Sequence, residues 1–322
     1  MSDVRTLLTR AAGSTLARVL VTVGILAYLA SRIDMGDAAR AVVSVRPGHL
    51  AAVLGLVAVD RAVMVLRWHL LLRAAGTPIG GAESARIFLV SAFVGSFLPA
   101  GIGGDAARAY SLAARTAQGS EAVASVVVDR LLGVLSLGTI GALGAVLWSP
   151  SVGGVWQSVA AVTLVVGACL AAFWASPLVR ALLPARLAHG AALRLPLKVA
   201  DAVGRYRDRR GVLAAVMAWS IVVQVLRIVQ AYLLGLGLGI DVAFGYYLLF
   251  MPVGLLMLLL PVSVSGFGLP QGVIVWLLRP VGVADELSFA LSTLIVVTGL
   301  AGNLPGMLLW LGGRRPPPRI TG

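Results

Sequence analysis

Long apolar runs, separated by short polar or basic stretches, dominate the hydropathy pattern of this chain. A helix rises about 1.5 Å per residue, so roughly 20 apolar residues cross the hydrocarbon core of a bilayer. Several runs approach or exceed that length, and the pattern predicts eight apolar helices. They cover Ala17–Ser31, His49–Leu72, Ala85–Leu98, Glu121–Trp148, Val155–Ala175, Val212–Leu236, Phe244–Leu260 and Glu286–Leu311.

Two of these segments end in a Leu-Pro pair that is followed by a cluster of glycines. The two prolines lie 162 residues apart in a chain of 322. Proline removes a backbone donor from a helix and glycine lets the chain reverse, so each motif predicts a turn and then a shorter helix, over Asp105–Thr116 and Pro270–Leu278. Broken helices at matching places in two halves are typical of transporter binding sites. The residues predicted to form the turns are Pro99, Gly101, Gly103, Gly104, Pro261, Gly266 and Gly268.

The composition places these helices in a membrane. The chain is 59% hydrophobic and 12% charged, and its mean hydropathy is +0.96. A soluble domain of this size cannot bury that much apolar surface, so we predict an all-α polytopic membrane protein. The apolar part of the first segment, Val19 to Ala30, follows Arg5, Arg10 and Arg18, as in a signal peptide. No clear cleavage site precedes Arg32, and a retained first span is therefore expected.

The basic residues decide between two topologies. The net charge of +13 lies mostly in loops between apolar runs, which indicates membrane topology rather than nucleic acid binding. If all eight segments cross, the loop over 176–211 lies outside with its eight Arg and Lys residues, against the positive-inside rule. If Ala85–Thr116 instead enters from the cytoplasm, turns and returns, that loop lies inside. The basic residues then left outside are Arg32, Arg40, Arg46 and Arg279.

The predicted fold therefore has six full transmembrane helices and two re-entrant broken hairpins, with both termini in the cytoplasm. Each half contains span, span, hairpin and span. Because three crossings is an odd number, the second half is predicted to be inverted relative to the first. The chain forms one integral membrane domain over 1–322. Its parts are repeat 1 at about 17–148, repeat 2 at about 155–311, a cytoplasmic linker at about 176–210 and a disordered basic tail at 313–322.

Polar residues recur at helical spacing within the linker. Arg194, Lys198, Asp201, Arg205 and Asp208 step by three and four residues and form one stripe opposite a flatter apolar face. The pattern fits a helix lying at the cytoplasmic membrane interface, and it fits an ordinary linker helix between the repeats equally well.

The sequence offers little other chemistry. The single cysteine, Cys169, lies in an apolar run, and His49, His69 and His189 are scattered without metal-ligand spacing. No nucleophile–base or metal-binding motif is recognisable in the sequence. We therefore expect no metal, no cofactor and no enzymatic activity.

Charged residues inside the apolar segments are the strongest functional signal. Each costs roughly 2.5–3.5 kcal/mol at the centre of an isolated helix, so these side chains are expected to face the protein interior. We predict pairs between helices, such as Asp129 with Arg61 and Asp60 with Arg130. Two interpretations stay open: the charges lock helices together, or they form an anion path with Arg61 and Arg130 at its centre and Arg227 nearer the outer side. The residues concerned are Asp60, Arg61, Asp129, Arg130, Arg227 and the nearby Gln224.

The two glycine motifs place further polar groups at the predicted turns. Asp105 is expected to cap the returning helix, and Arg108 and Arg115 are expected to share a face toward the cytoplasmic headgroups. Helix N-termini at both turns favour a phosphate or carboxylate ligand. The second motif adds hydroxyl groups and a neutral amide, from Ser263, Ser265 and Gln271.

Three motifs, taken in order, resemble a known family. They are Arg67-Trp68, then Phe97-Leu-Pro-x-x-x-Gly-Gly-Asp105 with Arg108, then Asp129-Arg130-x-x-Gly133. This set resembles the flippase-like transmembrane region of bacterial lysylphosphatidylglycerol synthases, and the resemblance covers nearly the whole chain. It implies a two-repeat fold with re-entrant helices, movement of a lipid between leaflets and a location in the bacterial inner membrane.

The resemblance also implies a ligand class. Family members are associated with aminoacylated phosphatidylglycerol and, more loosely, with glycolipids, polyprenyl-linked sugars or hopanoids. It therefore implies partners that are membrane lipids with anionic or zwitterionic headgroups, together with a lipid-synthesis enzyme. The residues expected to bind the headgroup are Arg61, Arg67, Asp105, Arg108, Asp129, Arg130, Gln224, Arg227, Ser263, Ser265 and Gln271.

Two features depart from the family pattern. The soluble aminoacyl-transferase domain is absent, so synthesis of lysylphosphatidylglycerol is not expected. The family's second motif often reads Gly-Gly-x-Gly before an acidic residue, whereas Ser265 and Gln271 stand at those places, which argues against an acid-dependent role there. The alternatives to a flippase are a lipid-binding accessory subunit and a membrane-embedded transferase with Asp105 or Asp129 as its base.

Overall fold

The computed structural model describes residues 20, 22–98, 102–116, 118–148, 201–206, 208–259 and 267–312, and its elements are helices. This architecture confirms the prediction of an all-α polytopic membrane protein. Residues 22–32 and 201–206 are helical. The other helices are α1 (Met35–Val43), α2 (Pro47–Ala74), α3 (Gly81–Gly95), α4 (Ile102–Thr116), α5 (Gly119–Trp148), α6 (Arg210–Gly237), α7 (Phe244–Leu259), α8 (Leu269–Leu278), α9 (Asp285–Ala301) and α10 (Leu304–Gly312), with a 3₁₀ turn at Arg279–Val281.

Four helical segments in the described part of the chain are long and apolar enough to cross a membrane. They are α2, α6, Gly119–Ala145 within α5, and Asp285–Gly312, which joins α9 to α10. With 27 or 28 residues, each is about 40 Å long. These segments match four of the six predicted spans. Of the other two, the first is helical over its described residues 22–31, and Val155–Ala175 lies outside the described residues.

The first predicted hairpin is a pair of antiparallel helices, α3 and α4. Glu83 and Arg115 form an ion pair of 2.9 Å where α3 begins and α4 ends. At the other end a Cβ on Gly95 would lie 2.5 Å from the Cα of Gly104, so the two backbones touch there. Each helix has 15 residues and is about 22 Å long, too short to cross the hydrocarbon core. The chain therefore reverses between α3 and α4 as predicted, although Pro99 and Gly101 lie outside the described residues.

The second predicted hairpin has the same form. The hydroxyl of Tyr246, near the start of α7, donates to the carbonyl of Leu277 near the end of α8, and Gly254 faces Ile274. Gly268, predicted as a residue of the second turn, precedes α8 and has a φ of +96°, a backbone conformation that favours glycine. The other predicted members of that motif, Pro261, Ser263, Ser265 and Gly266, lie outside the described residues.

Buried side chains pack these helices together in several clusters. Ile228, Leu234, Tyr247, Phe250 and Leu291 are buried together where α6, α7 and α9 meet. A second cluster holds the first hairpin against α2, and it comprises Trp68, Leu72, Ile87, Phe88 and Leu112. The insertion depth of both hairpins, the inversion of the two repeats and the side on which the termini lie stay predictions.

The end of the predicted linker helix docks on the long helices. Tyr206 is buried, and its hydroxyl donates to the carbonyl of Leu71 over 3.3 Å. Val203 is buried beside it, while Arg205 on the polar stripe forms an ion pair with Glu121. The amphipathic pattern therefore holds over 201–206, and the earlier stripe residues Arg194 and Lys198 lie outside the described residues.

Two features of the described helices differ from the sequence predictions. Residues 35–43 were expected in an outside loop but form α1, whose first turn is capped by the Asp34 carboxylate through the amides of Gly36 and Asp37, at 2.8 and 3.0 Å. The last predicted segment, Glu286–Leu311, is divided between α9 and α10, which meet at Gly302 and Asn303. The division matters because Asn303 faces the cavity described below.

Candidate functional site

A cavity of about 350 Å³ lies among the first hairpin, α2, α5, α6, α7 and the junction of α9 and α10. We call it the arginine cavity because five guanidiniums and two carboxylates line it. The charged residues in its wall are Arg61, Arg67, Asp105, Arg108, Asp129, Arg130 and Arg227. These seven residues and Gln224 were all predicted as site residues from the sequence, and the fold brings them together.

The two glycine-and-charge motifs meet across α4 and α5. Arg108 on α4 donates from Nη2 to Asp129 on α5 over 3.1 Å, and Arg130 on α5 forms an ion pair in the opposite direction with Asp105 on α4. Arg108 also reaches Asp105, one turn earlier on its own helix, at 3.2 Å. The close backbone contact at Gly104 holds α4 against α3, its other neighbour. The Gly-Gly-Asp-x-x-Arg and Asp-Arg sequences are therefore two halves of one ion-pair network.

Asp129 is the most enclosed member of this network. Its Oδ1 accepts a hydrogen bond from Arg67 Nε at 2.8 Å, and its Oδ2 accepts the bond from Arg108. The side chains of Arg67, Arg108 and Asp129 are only 5%, 4% and 3% exposed. Arg67 also donates to Ser220 on α6, which ties α2, α4, α5 and α6 together. This buried triad fits the interpretation that charges lock the helices together.

Aromatic rings complete the surroundings of Arg108. The guanidinium carbon lies 5.1 Å from the ring centroids of both Trp68 and Phe88, within cation–π range. Trp68 is itself fixed by a hydrogen bond from its indole nitrogen to Ser125 Oγ, at 3.3 Å. Arg108 is therefore held by two carboxylates and two rings, which makes its position rigid.

A second ion-pair group joins α2 to α6 and contributes two arginines to the cavity wall. Asp60 accepts from Arg61 Nη1 at 3.4 Å and from Arg227 Nε at 3.2 Å. Both arginines also contact the sulfur of Met64, at 3.4 and 3.1 Å. Arg61 Nη2 donates to the carbonyl of Gly299 at 2.9 Å and so connects α2 to α9. Asp60 is buried between its two partners.

Exposure separates the arginines into two sets. Arg67 and Arg108 are fully enclosed, whereas the side chains of Arg61, Arg227 and Arg130 are 17%, 27% and 43% exposed. The second set is therefore the one that a ligand in the cavity can reach. These are the three arginines that the sequence predicted for an anion path.

Two amides also face the arginine cavity. Gln224 donates from Nε2 to the carbonyl of Gly133 at 3.2 Å and to Ser136 Oγ at 3.4 Å. Asn303 donates from Nδ2 to Ser96 Oγ at 2.8 Å, which links α10 to the end of α3. Among the described residues, the carbonyl oxygens of both amide groups are buried and accept no hydrogen bond.

Several detailed predictions were wrong. Asp129 pairs with Arg67 and Arg108 rather than with Arg61, which instead contacts Asp60 and the carbonyl of Gly299. Asp60 pairs with Arg61 and Arg227 rather than with Arg130, and the Asp60–Arg61 contact lies within α2 rather than between helices.

The predictions for the first hairpin also need two corrections. Asp105 does not cap α4, because the helix begins three residues earlier at Ile102 and places Asp105 within its first turn. Arg108 does not point toward headgroups with Arg115; it is buried beneath Trp68, whereas Arg115 is 41% exposed.

One predicted ligand residue lies elsewhere. Gln271 is fully buried and its Oε1 accepts a hydrogen bond from the amide of Gly268 at 2.6 Å, so its amide caps the start of α8. It does not line the arginine cavity. Ser263 and Ser265 lie outside the described residues.

Sequence reasoning missed other residues in and around the cavity. Met64, Ser96 and Asn303 line it, and Ser220 anchors Arg67. A polar residue beside Pro305 was a visible signal for Asn303, because both interrupt an apolar helix. Nothing in the hydropathy pattern distinguishes Met64 or Ser96 from other residues of their helices.

In the described part of the chain, no group of three or more His, Cys, Asp or Glu side chains is arranged to hold a metal ion. A search among curated proteins finds no match to the chain. The family model for the lysylphosphatidylglycerol synthase TM region matches residues 15–306. Because that match covers most of the 322 residues, the chain belongs to the family of the lysylphosphatidylglycerol synthase TM region.

Proposed function

We propose that this protein moves a phospholipid with an anionic or zwitterionic headgroup between the two leaflets of a membrane. The headgroup enters the arginine cavity while the acyl chains stay in the bilayer. The observation that carries this proposal is the exposure of Arg61, Arg130 and Arg227 to one cavity of about 350 Å³. All three lie on helices long enough to cross a membrane.

The charge balance of the site favours an anion. Five arginines face three aspartates, counting Asp60 behind the cavity wall, which leaves a formal surplus of two positive charges. Each of these aspartates already contacts two guanidiniums. Uncompensated charge within a membrane is costly, and arginine binds phosphate through a planar fork of donors. A phosphate in the cavity would neutralise part of the surplus.

The family supports a lipid-related role, and the finer assignments belong to this proposal. The protein would act in the bacterial inner membrane, on lipids supplied by a lipid-synthesis enzyme. Transport is favoured over a transferase reaction because Asp105 and Asp129 each accept hydrogen bonds from two guanidiniums. A general base needs a carboxylate oxygen that is available to the proton it removes.

Lipid exchange in proteoliposomes tests the proposal. Fluorescent phosphatidylglycerol and phosphatidylethanolamine are placed in both leaflets, and a membrane-impermeant reductant reports how fast inner-leaflet lipid reaches the outside. The wild-type protein is expected to exchange at least one of them. A variant with both Arg61→Gln and Arg227→Gln is expected to lose at least tenfold in rate while it still elutes as a single species. Arg40→Gln is the matched control, because its side chain is 79% exposed and pairs with Asp37 on α1.

Three results would count against the proposal. If neither lipid exchanges between leaflets in vesicles that contain the wild-type protein, the protein does not transport these lipids. An unchanged rate in the double variant removes the role of the arginine cavity. Saturable lipid binding without exchange identifies the protein as a lipid-binding accessory subunit instead.

A further inference from the structure

A second cavity of about 240 Å³ adjoins the arginine cavity. Arg61, Arg227, Leu255, Leu300 and Asn303 line both cavities, so these residues form the partition between them. The second cavity lies among α2, α6, α7 and α9. Its wall is largely aliphatic, and its other polar residues include Asp60, Gln230 and Thr298.

Two residues that line this second cavity carry buried amide atoms that have no hydrogen-bond partner among the described residues. Gln230 lines it, and its Nε2 is buried and has no hydrogen-bond partner among the described residues. Asn303 lines both cavities, and its buried Oδ1 accepts no hydrogen bond from the described residues. A buried polar atom without a partner costs free energy, and most such atoms in native proteins are satisfied by protein, ligand or water. Among the described residues, one amide donor and one amide acceptor therefore lack partners in the wall that also contains Arg61 and Arg227.

The charges around the second cavity disfavour an ammonium group. Arg61 and Arg227 contribute two positive charges, and both oxygens of Asp60 are taken by these same guanidiniums. Among the described residues that line the second cavity, Asp60 is the one carboxylate. A headgroup that ends in an ammonium would meet a net positive wall with no available counter-ion, whereas neutral hydroxyl groups can both donate and accept hydrogen bonds.

We propose that the second cavity is a subsite for the neutral, hydroxyl-bearing end of a phospholipid headgroup whose phosphate lies between Arg61 and Arg227. This inference rests on the proposed function, because it assumes that a lipid phosphate reaches the arginine cavity. It predicts that the protein selects polyol or sugar phosphodiesters, such as glycerol-bearing headgroups, over phosphodiesters that end in an ammonium or a methyl group. Gln230 and Asn303 are the residues that form hydrogen bonds with the hydroxyl groups.

A competition assay on the purified full chain tests this selectivity. The protein binds fluorescent phosphatidylglycerol in detergent micelles, and unlabelled lipids with identical acyl chains displace it. Phosphatidylmethanol is the matched competitor, since it carries the same single negative charge as phosphatidylglycerol but no hydroxyl group. Phosphatidylethanolamine tests the ammonium. Phosphatidylglycerol is expected to compete about tenfold better than either, the equivalent of one or two net hydrogen bonds.

A substitution separates the headgroup subsite from the phosphate site. Gln230→Leu is expected to abolish most of the preference for phosphatidylglycerol and to leave the affinity for phosphatidylmethanol unchanged. Gln118→Leu, at an exposed position before α5, is the control and should keep the wild-type preference.

The outcomes distinguish this inference from the proposed function. Equal competition by phosphatidylglycerol and phosphatidylmethanol, or an undiminished preference in Gln230→Leu, overturns the subsite while the phosphate site stands. Equal loss of both lipids in Gln230→Leu also overturns it, because Gln230 would then act on the fold or on the phosphate. Failure of every lipid to displace the probe from wild-type protein refutes the lipid site itself.

Discussion

Replacing Asp129 with asparagine is the sharpest perturbation of the buried network. The carboxylate lies between Arg67 at 2.8 Å and Arg108 at 3.1 Å, and all three side chains are at most 5% exposed. Asparagine has the same shape but a single acceptor oxygen, so one guanidinium would face an amide NH₂ group. Two buried positive charges would also lose their shared counter-ion. Breaking a buried pair by removing one partner typically costs about 3–5 kcal/mol.

The control uses the same substitution in an exposed pair. Asp37 pairs with Arg40 on α1, and these side chains are 53% and 79% exposed. Surface pairs contribute about 0–1 kcal/mol, so Asp37→Asn should be close to neutral. The free energy of unfolding is measured by titrating each purified variant from mild detergent into a denaturing detergent. A loss of about 3 kcal/mol or more is expected for Asp129→Asn. A loss no larger than that of Asp37→Asn would refute the view that this triad holds α2, α4 and α5 together.

Two further substitutions test the packing that builds the cavity. Gly95→Ala should destabilise the first hairpin and lower the yield of folded protein, because its Cβ would lie 2.5 Å from Gly104 Cα. Expression yield and thermal melting measure the effect. Gly55→Ala is the control, since its Cβ meets nothing within 4 Å and the substitution should be tolerated. Ser220→Ala should lower the free energy of unfolding in the detergent titration by about 1.5–3 kcal/mol, since Arg67 Nη1 then loses its 3.0 Å hydrogen bond inside a buried site. An unchanged free energy of unfolding would show that this bond does not position Arg67.

The positions of the charges along the sequence carried most of the information about the site. A charged residue inside an apolar segment must face the interior, and this reasoning identified Asp60, Arg61, Asp129, Arg130 and Arg227 without knowledge of any contact. Asp105 and Arg108 came instead from the first glycine motif, and Arg67 came from the motifs of the resemblance. The cavity brings these residues together, with Asp60 at its wall.

The partners of these charges could not be read from the sequence. Which carboxylate meets which guanidinium depends on which helices are neighbours and on how each helix is rotated, and periodicity gives neither. Arg108 shows the limit clearly. It shares a helix face with Arg115, but it lies beneath Trp68 while Arg115 pairs with Glu83 at the open end of the hairpin. Local spacing predicted a common environment, and tertiary packing gave them different ones.

The predictions of where helices begin and end were wrong for a related reason. Residues 35–43 form a helix of only nine residues, too short to stand out beside the long spans, so α1 was missed although Asp34 precedes it as a capping residue. Asp105 was expected to begin α4 because aspartate is a common cap, yet the helix starts earlier at Ile102. Within the first turn of α4, the Asp105 carboxylate forms an ion pair with Arg130 rather than capping the helix.

A structure of the protein in lipid nanodiscs that contain phosphatidylglycerol would test the central claim most directly. We predict density for a lipid phosphate inside the arginine cavity, within hydrogen-bond distance of Arg61 and Arg227, with acyl chains leading out toward the bilayer. Lipid density confined to the outer surface of the helices, with the cavity filled by water alone, would contradict the claim that these arginines receive a headgroup.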